Sequence, residues 1–155
     1  MTQLSPHFSL AELTASDTAR RLGDANQPGP AEIAALRQLC VKVLEPIRSH
    51  FGRPVRVNSG FRNARVNGAV GSSSTSQHRR GEAADIEIDG ISNAVVARWI
   101  RDNLTFDQVI LEAHRPGDPN SGWVHVSYRA DRARRSVLTM TLGSHGATYA
   151  SGIAG

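Results

Sequence analysis

The chain is predicted to fold as a small α+β domain, with N-terminal helices packed on a central antiparallel sheet. A long helical stripe over residues 30–51 supplies the helical layer. Several later segments alternate apolar and polar side chains as half-buried strands do. The connections between those segments are mostly too short for parallel crossovers, which favours antiparallel pairing. A chain of 155 residues suffices for one core, so residues 1–142 are assigned to one domain and residues 143–155 to a flexible tail.

Taken in order, Ser9 and Glu12 form a capping box for a short first helix. Ser16 caps a second helix, and Gly23 stops it. In the stripe, Ile33, Leu36, Cys40, Val43, Ile47 and Phe51 recur at three- and four-residue spacing; Pro30 fits its first turn, and Pro46 should bend or split its last part. Residues 54–59 alternate as a strand, residues 63–70 suit a short helix, and the Gly/Ser-rich residues 71–76 are a surface loop. A second strand, residues 84–89, puts Asp85, Glu87 and Asp89 on one face. Ser92 caps a helix reaching Asn103, and residues 107–112 form a third strand. Trp123, His125 and Ser127 share a face of a fourth, and residues 137–142 could add an edge strand.

The composition excludes several classes. Hydrophobic residues at 39% and charged residues at 21% are globular values. No apolar run reaches membrane-spanning length, and the first residues lack the basic start and apolar stretch of a signal peptide. Cys40 is the only cysteine, so no intramolecular disulfide forms, and its place in the stripe argues for packing rather than reactivity. A net charge of +4 favours anionic partners without choosing among them. Charge alone suggests nucleic acid, but no reading motif and few aromatics accompany it, so none is expected.

The chemistry-bearing residues are His78, Asp85 and His125. Catalytic zinc takes three such ligands and keeps a fourth position open. His78 and Asp85 lie either side of a turn containing Gly81, and His125 can complete the triangle from another strand. His7, His50 and His145 are read as ordinary histidines, Ser76 as a residue that shapes its loop, Trp123 as core or cleft wall, and Glu87 and Asp89 as a solvated face. Arg79, Arg80 and the arginines of 129–135 are read as solvated.

The run Ser76-Gln77-His78-Arg79-Arg80-Gly81-Glu82-Ala83-Ala84-Asp85 resembles the SxHxxGxAxD signature of the zinc D-alanyl-D-alanine carboxypeptidases and phage endolysin peptidases. Trp123-Val124-His125-Val126-Ser127 resembles that family's second block, and Ser59-Gly60-Phe61-Arg62 its SGYR block, with Phe61 for Tyr. The resemblance spans roughly residues 8 to 128 and implies a hedgehog-like α+β fold and a zinc ion (Zn2+) on His78, Asp85 and His125. It also implies that Arg62 grips a substrate carboxylate or carbonyl. Many relatives carry an acid three positions before the last histidine, where this chain has Gly122. Glu112 is therefore the candidate general base, with His114 in reserve.

The implied function is hydrolysis of peptidoglycan stem peptides, by a D,D-carboxypeptidase or an endolysin-type endopeptidase. The alternative is a zinc-retaining but inactive wall-binding or phage-particle module. The expected form is a monomer without a membrane span, made in the cytoplasm and reaching the wall by lysis or another export route.

Overall fold

The computed structural model describes residues 2–154. A two-stranded hairpin, β1 (Gln3–Ser5) and β2 (Phe8–Ser9), precedes the first helix and was concealed by the helix signals beside it. The Ser9 hydroxyl accepts from the Glu12 amide at 3.1 Å and the Glu12 carboxylate accepts from the Ser9 amide at 3.2 Å, starting α1 (Leu10–Thr14) with a complete capping box. Ser16 caps α2 (Asp17–Leu22), which ends at Gly23.

The helical stripe folds as α3 (Pro30–Leu39), a π-helical turn over Cys40–Leu44, and α4 (Glu45–Phe51). Pro46 has no amide to donate, and its ring crowds the carbonyl one turn back. The widened turn, in which the Glu45 amide reaches the Cys40 carbonyl, absorbs that conflict. Leu36, Cys40, Val43 and Ile47 are fully buried, as the stripe predicts. Burial pushes the Cys40 thiol up to about 12, so it stays protonated and acts as a packing residue.

The main sheet comprises β3 (Arg56–Ser59), β4 (Ala83–Glu87), β5 (Gln108–Glu112), β6 (Trp123–Ser127), β7 (Ser136–Gly143) and β8 (Gly146–Ser151), in the order β3-β4-β6-β5-β7-β8. Helices α5 (Ala64–Ala69) and α6 (Asn93–Asn103) and a 3-10 turn at Gln77–Arg80 lie between the strands. Ile86, Val109, Val124 and Val126 point from one face of the sheet into the core shared with the helical stripe and α6. Alternation sends Asp85, Ile110, Glu112 and His125 to the opposite face. Among the described residues no helix is long and apolar enough to cross a membrane.

Two expectations are corrected. The sheet is mixed, because β5 and β7 pair in parallel while every other neighbouring pair is antiparallel. No long crossover is needed: β6 returns beside β5, and residues 128–135 carry the chain round the start of β5 to its far side. Nor is β7 an edge strand with a loose tail behind it. Residues 146–151 fold back on β7 from Gly143↔Gly146 to Leu138↔Ser151, and the Thr139 hydroxyl donates to the Gly152 carbonyl at 2.7 Å and accepts from the Ala154 amide at 2.9 Å. The side chains of β8 are exposed, so backbone pairing rather than an apolar face holds it, and composition carries little trace of that.

Asp107 fastens the crossing segment. Its side chain is fully buried and accepts from Arg134 Nε and Nη2, from the Arg134 amide and from Arg132 Nη2, all at 2.9–3.1 Å. The arginines of 129–135 are thus not all solvated; Arg135 also lies over the Phe106 ring at 4.7 Å and donates to the Leu104 and Arg101 carbonyls. Burial works to raise the Asp107 pKa, but the Arg134 side chain and amide and the Arg132 guanidinium outweigh it and hold the carboxyl well below the usual range. A carboxylate so depressed stabilises the fold above its unfolded pKa, and the contribution is lost as pH falls toward the folded value. Asp107→Ala is expected to cost about 2–3 kcal/mol at neutral pH. Denaturant melts of the two proteins should converge as the medium is acidified.

Candidate metal centre

Each candidate ligand residue is positioned by a different element. His78 sits in the 3-10 turn, where Ser76 Oγ accepts from the His78 amide at 3.2 Å; Ser76 shapes the loop as its position predicts. The His78 ring is buried, and its Nδ1 meets the Gly60 carbonyl oxygen at 2.8 Å. That contact makes Nδ1 a proton donor and turns Nε2 toward Asp85. Gly60 is required where it stands, since a Cβ there would run into the Leu13 carbonyl of α1. The neighbouring Phe61 amide donates to the same Leu13 oxygen at 2.7 Å. The Ser59–Arg62 block therefore joins α1 to the His78 turn.

Asp85 and His125 are direct partners on the adjacent strands β4 and β6. Asp85 Oδ1 lies 3.3 Å from His78 Nε2 and 3.1 Å from His125 Nδ1. Donors held by a tetrahedral zinc at its ordinary bond lengths stand about 3.3 Å from one another, so these separations are compatible with such an ion. One donor atom from each of the three residues lies within 4.8 Å of the others. Two imidazoles and one carboxylate, with one imidazole braced by a backbone carbonyl, fit zinc in both chemistry and spacing. Burial opposes ionisation of Asp85, yet the His78 and His125 rings hold its carboxyl well below the usual range, so it is present as the anion a cation needs.

These residues form the floor of a cleft of about 720 Å³ that Arg62, Glu112 and Trp123 also line. Arg62 is anchored by its own turn: Nη1 donates to Ser59 Oγ at 3.1 Å and Nε to Asn67 Oδ1 at 3.3 Å. Glu112 ends β5 opposite Trp123, two residues along from Ile110, which is paired with His125. Burial pushes the Glu112 pKa up, the His125 ring opposes the shift and the Asp85 carboxylate adds to it. His114 lies elsewhere, in a separate depression with Arg115 and Leu142, so the reserve candidate does not reach the cleft.

The missing acid at position 122 has a steric cause. Gly122 has φ 65°, and a Cβ there would collide with the Glu112 carbonyl oxygen and approach that of Ala113 at 2.9 Å. Asn93 Nδ2 holds the Gly122 carbonyl at 3.1 Å and the Ser121 carbonyl at 3.0 Å, fixing that approach. The backbone of Glu112 fills the space a side chain at 122 would need.

A family model described as Peptidase M15 matches residues 6–127. The chain belongs to the Peptidase M15 family. Its members are zinc-dependent metallopeptidases, and the matched region contains His78, Asp85, His125, Arg62 and Glu112. Comparison with the curated proteins finds no match. Beyond residue 127, the M15 chain adds Arg132, Arg134, Met140 and Tyr149 to the cleft wall. None of these four is legible as a site residue in the sequence, because the crossing and the β7–β8 hairpin bring them there. Tyr149 is half exposed, and burial followed by the Glu112 carboxylate raises its phenol pKa.

Proposed function

We propose that the chain is a zinc metallopeptidase that hydrolyses peptide bonds in the stem peptides of bacterial peptidoglycan, acting on the wall after release or export by another route. The carrying observation is the convergence of His78 Nε2, Asp85 Oδ1 and His125 Nδ1 on the floor of a cleft that also presents a basic fork and a second carboxylate. Zinc in such a site supplies a Lewis acid that polarises a carbonyl and acidifies water. Glu112, its proton affinity raised by burial, takes the proton of the attacking water and returns it to the departing amine. Arg62, held by Ser59 and Asn67, offers planar donors to a substrate carbonyl or terminal carboxylate oxygen. The wall substrate is favoured by the three motif blocks and by the basic lining of the cleft.

Digestion of purified peptidoglycan, followed by mass spectrometry, tests this reading. New peptide fragments should appear, vanish with chelator and return with added zinc. Release of single terminal residues marks a carboxypeptidase, and larger fragments mark an endopeptidase. A zinc-loaded protein that binds wall and releases nothing would instead be the non-catalytic module.

A further inference from the structure

We infer that the end of the cleft away from Glu112 is a carboxylate-binding subsite, formed by Arg80, Arg132 and Arg134, that holds an acidic group of the substrate apart from the metal centre. The inference deepens the proposed peptidase reading by naming a substrate feature that the same cleft selects.

The sheet places these three side chains together. In the row Ala83–Ser127–Gln108–Ser136, β4 begins, β6 ends, β5 begins and β7 begins. Arg80 precedes that row on the way into β4, and Arg132 and Arg134 lie in the segment that leaves β6 and enters β7. All three line the cleft that contains the metal ligands. The ligand row Asp85–His125–Ile110 is two residues further along the strands, a distance of about 7 Å. An extended peptide with its scissile carbonyl above the ligand row would present a group one or two residues away to the arginines.

Charge and donor supply agree with that placement. Asp107 neutralises one of the three guanidinium charges, while the acids lining the cleft, Asp85 and Glu112, belong to its other part. Arg134 spends Nε and Nη2 on Asp107 and Arg132 spends Nη2, so each keeps N–H donors without a partner among the described residues. The Arg80 side chain is exposed and makes no hydrogen bond or ion pair among the described residues. Asp107 fixes the two forks before any ligand arrives, which lowers the ordering cost of binding. A carboxylate fits this donor set better than a carboxamide, which is uncharged, has one acceptor oxygen and turns N–H donors toward the guanidinium donors.

The test uses two synthetic stem peptides of the same sequence, one with every non-terminal carboxyl free and one with each amidated. Zinc-loaded protein is assayed by KM where cleavage occurs and by tryptophan fluorescence titration where it does not, since Trp123 lines the cleft. The free-carboxylate peptide should bind about tenfold more tightly. Arg80→Gln and Arg132→Gln should each reduce that preference several-fold, leaving the amidated peptide unaffected. Arg80→Gln removes no side-chain hydrogen bond or ion pair seen among the described residues, and Arg80 is exposed, so it reports on the subsite even if Arg132→Gln loosens the crossing segment. Equal binding of the two peptides, no binding of either, or an undiminished preference in Arg80→Gln would overturn the inference. Failure of the peptidase reading is a different result: the preference persists while no bond is cut.

Discussion

Replacing His78 or His125 with alanine should leave a protein that no longer retains zinc at one ion per chain and whose hydrolysis falls by about a thousandfold or more. In the proposed site each imidazole supplies one corner of a three-ligand set, and two ligands hold a divalent ion far less tightly than three while leaving its geometry open. The two variants differ in a useful way. His78 is buried and its Nδ1 is bonded to the Gly60 carbonyl, so His78→Ala also leaves an unsatisfied oxygen and a small cavity. His125 sits on a strand whose backbone pairing survives the change, and His125→Ala should keep the melting behaviour of metal-free protein. Metal content by mass spectrometry, with thermal melts in chelator, separates loss of ion from loss of fold. His145→Ala, on the exposed turn between β7 and β8, should retain both zinc and activity. Stoichiometric zinc in His125→Ala would remove that residue from the ligand set.

Glu112→Gln should keep zinc and lose turnover by a factor of about 10² to 10⁴, the usual worth of a positioned general base. Glutamine preserves the shape of the side chain but cannot accept the water proton, and Glu112 is not among the three clustered donors. The sign of the pH effect follows from the environment. Burial and the nearby Asp85 carboxylate raise the Glu112 pKa against the opposing His125 ring, so the active, deprotonated form is depleted as pH falls. The acidic limb of the kcat/KM profile should therefore disappear in the glutamine variant, and its zinc content should match the parent protein. Full activity in Glu112→Gln would leave the cleft without an assigned base, because His114 is outside it and position 122 admits no side chain.

What was legible in the sequence was local. The Ser9–Glu12 capping box, the Ser16 and Ser92 caps, and the alternation through Asp85 and His125 all concern residues within a few positions of one another. The turn that delivers His78 likewise shows itself in its own residues. Pro46 announced a break in the long helix, although its form as a π-helical turn depends on how the Cys40 carbonyl finds a donor. Two elements escaped: the N-terminal hairpin, which buries Leu4 and Phe8 in strands too short to show alternation, and β8, whose exposed side chains leave backbone pairing to hold it.

By itself the sequence indicated the α+β class and the main helical stripe through periodicity, the three clustered donors through residue type and spacing, Arg62 through its resemblance to a family block, and Glu112 only as an acid at a strand end. Tertiary structure alone decided that β5 and β7 run in parallel, that Asp107 lies buried beneath Arg132 and Arg134, that Gly122 yields its space to the Glu112 backbone, and that Tyr149 reaches the cleft. Those outcomes depend on which segments become neighbours across some ten to forty positions of chain. Loop closure and sheet pairing choose such neighbours, and neither leaves a periodic mark on the residues involved.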